Sequence, residues 1–328
     1  MFDLDLAELR TYRPEVAEPA DFDAFWRDTI AEARRHDQKP SVEKVNNTLT
    51  LIDTYDVTFA GFAGTPVKAW LHVPAGVTGP LPTVVQYHGY SGGRCFPHGW
   101  NQWAQAGWAH LTMDTRGQGW AGGGPNPTPD MVIDAGQPHV PGFMTAGITD
   151  PHTYYYRRVF TDALRLLDAA VESPFVDPSK IIVTGGSQGG GISLAAAGLA
   201  TMSGITLAGV APDVAFLCHF RRAVELTASL PYGEITQYLA GWRDQEDATY
   251  RTLSYFDGVN FSRRAQAPAL FSVALMDEVC PPSTVFAAYN AYGDGVSKAI
   301  NVYPHNGHEG GGSYQIDAQL DWFAERFR

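Results

Sequence analysis

The residues from Lys180 to Leu194, KIIVTGGSQGGGISL, leave this chain few ways to fold. A buried-strand run, Ile181-Ile182-Val183, stops at a serine set among glycines, and a helix of small apolar residues begins at once. Gly185, Ser187 and Gly189 occupy the fixed positions of a G-x-S-x-G nucleophile elbow. The serine of such an elbow sits on a strained strand-to-helix turn, so its neighbours must lack side chains that would strike the strand or the helix. The turn exposes the hydroxyl and brings the free N–H groups of a helix N-terminus beside it. The bare pentapeptide also fits a glycine-rich connection without chemistry; the strand before it and the helix after it favour a nucleophile.

A serine nucleophile needs a base and an acid to orient that base, and after an elbow they follow in the order Ser, Asp/Glu, His. Ala269 to Leu275 reads as a further core strand and ends on Asp277, followed by Glu278 and the breaker Pro281-Pro282. Adjacent residues of extended chain point to opposite sides, so only one of the two acids can face the base. Asp277 is preferred because it lies nearer the strand end. A helix over Ser283 to Tyr292 and a strand over Ala299 to Tyr303 then lead to a loop with His305 and His308. His308 is the better base, since Gly307 and the glycines from Gly310 free the loop to present it. His305, His308 and Glu309 also raise the question of a metal, but a helical H-E-x-x-H spacing is missing, so neither a metal nor a cofactor is expected.

Acyl transfer further requires donors for a developing oxyanion. One should be the backbone N–H of Gln188, the residue after the nucleophile. The strand Thr83 to Tyr87 runs into His88-Gly89-Tyr90-Ser91-Gly92-Gly93, a loop that nominates the N–H of Tyr90 as the second.

With these pieces in place the chain resembles the acetyl xylan esterase/cephalosporin-C deacetylase family, carbohydrate esterase family seven. The resemblance rests on Arg116-Gly117-Gln118, on the elbow, and on His308-Glu309. Supporting stretches are Gly142-Phe143-Met144, Thr153 to Arg158, Pro281 to Phe286, Phe2-Asp3-Leu4 and Asp21 to Trp26, so it covers essentially the whole chain. It implies an α/β-hydrolase fold with Ser187 as nucleophile, Asp277 as acid, His308 as base and the Tyr90 and Gln188 amides as oxyanion donors. It implies small acetyl esters as substrates, acetylated xylo-oligosaccharides or cephalosporin-like compounds, and a homohexamer. The R-G-Q motif is implied to be structural; Arg116 is expected to hold a loop through its planar fork of donors. Cys280 departs from an expected threonine, and Trp120 to Pro129 is unusually rich in Gly and Pro; neither is expected to touch the catalytic residues.

Composition narrows the alternatives. With 45% hydrophobic and 18% charged residues the chain is globular. A net charge of −12 argues against nucleic acid and against an anionic membrane surface. Three widely spaced cysteines, Cys95, Cys218 and Cys280, suggest a reducing compartment, and no signal peptide or membrane-spanning run is visible, so a cytoplasmic enzyme is expected.

A single domain is expected over 1–328, with a mostly parallel central sheet, flanking helices and an N-terminal extension. Helices are expected over Asp21 to His36, Thr153 to Glu172 and Ser313 to Phe327, the last with Ile316, Leu320, Phe323 and Phe327 facing inward, and strand segments over Thr48 to Val73. Tyr154 to Tyr156 are assigned to packing. The aromatic-rich segment 214–261 reads as a helical insertion over the active-site end; the family resemblance implies that it lies instead at a subunit interface. Two other functions remain open: a catalytically silent scaffold that binds a ligand, and a peptidase or longer-chain esterase.

Overall fold

Apolar runs separated by glycine- and proline-rich turns become the strands of one sheet in the computed structural model, which describes residues 2–36, 38–121, 124–131 and 140–328. The strands are β1 (Ser41–Lys44), β2 (Ile52–Ala60), β3 (Pro66–Pro74), β4 (Leu81–Tyr87), β5 (Ala109–Met113), β6 (Val176–Gly186), β7 (Gly209–Asp213), β8 (Ala269–Ala274) and β9 (Lys298–Tyr303). Their order across the sheet is β1-β2-β3-β5-β4-β6-β7-β8-β9. β1 to β3 and the β3–β5 pair are antiparallel, and every later neighbour is parallel. Chain order reverses between β4 and β6, because β5 lies on one side of β4 and β6 on the other. Ligand crevices in open parallel sheets form at such a reversal, beyond the carboxyl ends of the strands.

Alternation along the strands sorts side chains to the two faces. Val85, Ile181 and Val183 join the main core with the helices Phe22–Arg34, Tyr155–Glu172 and Gln188–Met202. Val84 and Ile182 face the other way, toward Trp103, Phe323 and Phe327. The helix Phe22–Arg34 buries Phe22, Phe25, Trp26, Ile30 and Ala33, a stripe at helical spacing. The final helix, Ser313–Phe327, departs from expectation: Ile316 is exposed and Leu320 only partly buried, whereas Gln315 and Gln319 are buried. Those two amides bind the half-buried Asp213, a partner that helical periodicity cannot reveal.

Four α-helices, Phe220–Leu226, Tyr232–Gly241, Glu246–Ser254 and Gly258–Ser262, and one 3-10 turn, Arg243–Gln245, fill the stretch between β7 and β8. They reach the carboxyl end of the sheet: Thr227 Oγ1 donates to the Glu278 carbonyl at 2.6 Å, and Glu234 accepts from the Tyr90 hydroxyl at 2.7 Å. Gly122 and Gly123 of the Gly/Pro-rich segment lie outside the described residues.

Arg116, fully buried, donates through Nε and Nη2 to Asp162 at 2.6 and 2.7 Å, and Asp162 also accepts from the N–H of Phe62 in the turn between β2 and β3. The pair ties the loop after β5 to the helix Tyr155–Glu172 and to that turn, the loop-holding role expected of Arg116. Removing one partner of a buried pair strands the other charge in a medium that cannot solvate it. Asp162→Ala should therefore lower stability by about 3–5 kcal/mol in denaturant titration. Glu246→Ala, which breaks the exposed contact to Arg221, should change it by less than about 1 kcal/mol.

Candidate active site

β6 carries its apolar run to Gly186, where the chain turns into the helix Gln188–Met202 with Ser187 between them. The turn holds Ser187 at φ 57° and ψ −120°, a backbone state that L residues seldom occupy. The surroundings enforce it. A Cβ on Gly185 would lie 2.6 Å from the Tyr87 carbonyl oxygen, and one on Gly189 would collide with the same atom. The Ser187 N–H donates to the Asp213 carbonyl at the end of β7, at 2.9 Å.

Asp277 lies just beyond β8 and is fully buried. Its Oδ1 accepts from the N–H groups of Val279 and Cys280 at 2.8 and 2.9 Å, which leaves Oδ2 for His308 Nδ1 at 2.9 Å. On the far side of the ring, His308 Nε2 is 2.9 Å from Ser187 Oγ. The structure thus brings together Ser187, His308 and Asp277, from the ends of three different strands. The neighbouring candidates do not join them: Glu278 and His305 are exposed, and the exposed Glu309 accepts from Asn306. His88, behind the site, is pushed down to about 3 by burial and stays neutral.

Gln188 follows the serine directly, and the loop that carries Tyr90 comes close to it at Gly89. Gln188 is the first residue of its helix, so its N–H has no acceptor one turn back. Tyr90 follows Gly89, where an added Cβ would stand 3.9 Å from the Ser187 Cβ. The Tyr90 hydroxyl donates to Glu234 at 2.7 Å and accepts from the Phe143 N–H at 2.6 Å. The side chains of Gln118 and Gln188 bind each other at 2.8 and 3.2 Å beneath the loop.

Cys280 requires a correction. Its N–H binds Asp277 at 2.9 Å, so the residue does touch the Ser187–His308–Asp277 cluster. Burial, with Asp277 adding to it, pushes the thiol well above its ordinary range and keeps it protonated. Asp277, Cys280 and His308 present possible metal-ligand atoms within 4.8 Å of one another, but both nitrogens of His308 are already engaged. Tyr154, Tyr155 and Tyr156 are buried, as packing requires, yet their hydroxyls bind Met144, Arg116 and Gln188 around the site.

Asp213 escapes a sequence reading altogether. Burial raises its carboxyl to about 7, against the opposing pull of hydrogen bonds from Ser272, Gln319 and Gln315. Gln315 Oε1 accepts from Asn301 and Tyr303, which fixes its Nε2 toward Asp213. The residue therefore links the elbow, through its carbonyl, to the helix that follows the His308 loop. Among the described residues no helix is long and apolar enough to cross a membrane.

The whole chain matches a known family. The model of the family "acetyl xylan esterase (AXE1)" aligns with residues 1–326. The acetyl xylan esterase from Paenibacillus sp. R4 superposes with a TM-score of 0.91 at 41% identity, over 98% of this chain and 99% of that one. Acetyl xylan esterase 1 from Thermoanaerobacterium sp. JW/SL YS485 superposes with a TM-score of 0.89 at 31% identity, over 99% and 100%. The acetyl esterase Axe7A of Xylanibacter ruminicola is 26% identical over 298 residues, 85% of this chain but only 61% of that protein's length.

The raised carboxyl of Asp213 makes a test of its protonation state. A carboxyl whose folded value is raised contributes stability below its unfolded value of 3.8, and that contribution is lost as pH rises toward about 7. Asp213→Asn keeps the shape and cannot ionise. Its Oδ1 can meet Gln315 and its amide a flipped Gln319. Denaturation midpoints of the variant and the wild type should diverge in the variant's favour between about pH 4 and pH 7, then run parallel.

Proposed function

The chain belongs to the acetyl xylan esterase family, and on that footing we propose that it is a serine esterase that removes acetyl groups from small alcohol-linked esters through an acetyl-enzyme intermediate. The observation that carries this reading is the relay of two 2.9 Å contacts from Ser187 Oγ through the His308 ring to Asp277. Neutral His308 takes the Ser187 proton on Nε2 as Oγ attacks the acetyl carbonyl. Asp277, fixed by its own backbone donors, holds the ring in the tautomer with the proton on Nδ1 and stabilises the cation that forms. The Tyr90 and Gln188 N–H groups receive the oxyanion, and His308 then protonates the departing alcohol. Water, activated by the same imidazole, attacks the acetyl-enzyme and releases acetate.

Acetylated xylo-oligosaccharides suit this reading, since two similar proteins of nearly the same length are named acetyl xylan esterases. Cephalosporin-C-like acetyl esters present the same acetyl group on a different alcohol. The family also motivates a hexamer, with the segment 214–261 at a subunit contact; light scattering on the purified protein should give six times the 35.7 kDa chain, and a monomer would remove that element.

Ser187→Ala should lose activity on the order of a million-fold while folding normally, because its hydroxyl is the only covalent acceptor in this mechanism. A folded, uncontaminated variant keeping more than about a tenth of wild-type turnover would sink the assignment. Asp277→Asn should cost about ten-thousand-fold in kcat by favouring the wrong tautomer of His308, and Glu278→Gln should stay close to wild type. Rates across an acyl series should peak at acetyl and be poor at octanoyl. A maximum at octanoyl would move the protein among the longer-chain esterases, and no turnover of any ester with a well-folded protein would favour the silent scaffold.

A further inference from the structure

Gln118 is the one residue of the R-G-Q stretch whose side chain reaches the site, and no step above uses it. Its amide and that of Gln188 form a closed reciprocal pair, both groups almost wholly buried. Gln118 Nε2 donates to Gln188 Oε1 at 2.8 Å, and Gln188 Nε2 returns a bond to Gln118 Oε1 at 3.2 Å. The remaining capacity of each amide points to the loop or to a tyrosine. Gln118 Oε1 accepts from the Ser91 N–H at 2.8 Å, and Gln188 Nε2 donates to the His88 carbonyl at 3.2 Å. Gln118 Nε2 also donates to the Tyr155 hydroxyl at 3.0 Å, and Gln188 Oε1 accepts from the Tyr156 hydroxyl at 2.9 Å.

Turning either amide over would set donor against donor and acceptor against acceptor, so the pair has one orientation. It grips the loop on both sides of Gly89-Tyr90, and one of its members carries the other oxyanion donor on its own backbone. We infer that the Gln118–Gln188 amide pair sets the spacing between the Tyr90 and Gln188 N–H groups, which makes Gln118 a positioning residue of the oxyanion hole. The inference rests on the esterase reading above. An oxyanion hole acts only if its donors sit at the position the charge will take, before the charge appears. A clamp on both donors acts on the transition state and little on the bound ester.

The test uses Gln118→Leu and, as an unbranched alternative of similar size, Gln118→Met. With an aryl acetate, kcat should fall roughly 100-fold, as expected for donors displaced by about 1 Å, while KM stays within about twofold. Affinity for an alkylboronic acid, which forms a tetrahedral anionic adduct on the serine, should fall by the same factor as kcat. Gln188→Leu should behave alike, and the double variant should be no worse than the poorer single, because the two amides act as a unit. Unchanged kcat, a loss confined to KM, or intact boronate affinity beside a reduced kcat would each overturn the inference. So would failure of both Gln118 variants to fold, which would assign the pair to the fold alone. If instead the wild type turns over no acetate ester through Ser187, the parent esterase reading has failed; an active wild type with indifferent Gln118 variants sinks this inference only.

Discussion

The molecule turns on one close approach, that of the Tyr87 carbonyl at the end of β4 to the backbone of the elbow. Only glycine at 185 and 189 lets the two strands and the helix meet there, since a single methyl group on either would strike that oxygen. The approach drives Ser187 into its left-handed state and lets its N–H reach Asp213. It also sets the start of the helix Gln188–Met202 beside the loop that carries Tyr90. The proposed nucleophile and both proposed oxyanion donors are therefore products of one packing constraint between β4 and β6.

Around that point the protein spends its buried charge on holding loops. Asp162 fixes Arg116 and the β2–β3 turn, and Asp277 binds two backbone N–H groups before it meets His308. Asp257, raised to about 6 by burial, accepts from the N–H groups of His219, Phe220 and Val259. Glu234 joins Tyr90 to the N–H of Met144, and burial raises it too. In each case a carboxylate gathers donors from segments that would otherwise be irregular chain. Networks of this kind, once satisfied, make the supporting shell of a site stiff.

Much of this was legible in the sequence, because function sits where periodic patterns stop. Ser187, Asp277 and His308 each follow an apolar run that ends in glycine, proline or an acid, and the family resemblance built on these motifs is the family to which the chain belongs. What escaped does so for physical reasons. β1 is a four-residue edge strand exposed along its length, so it shows no alternation. β5 is buried throughout yet contains His110, whose imidazole is kept neutral by burial. Gln315 and Gln319 look like surface residues until Asp213 is known to face them, and Cys280 looks incidental until its N–H is seen to bind Asp277. Local pattern reveals which residues end an element; only the closed sheet reveals what they end against.

The strand order has a kinetic side. The site draws on the loops after β4, β6, β8 and β9, so its parts lie as far apart as Gly89 and His308, and β4 pairs with β6 only after the chain has gone out through β5 and the helix Tyr155–Glu172. Contacts of such long sequence separation must meet loop-closure entropy before they gain any energy, and parallel pairings of this sort form late. Helices and the β2–β3 hairpin are local and form without them. Esterase activity, in a protein built this way, is a reporter of the finished sheet: it requires strands far apart in sequence to be in register around the chain reversal at once.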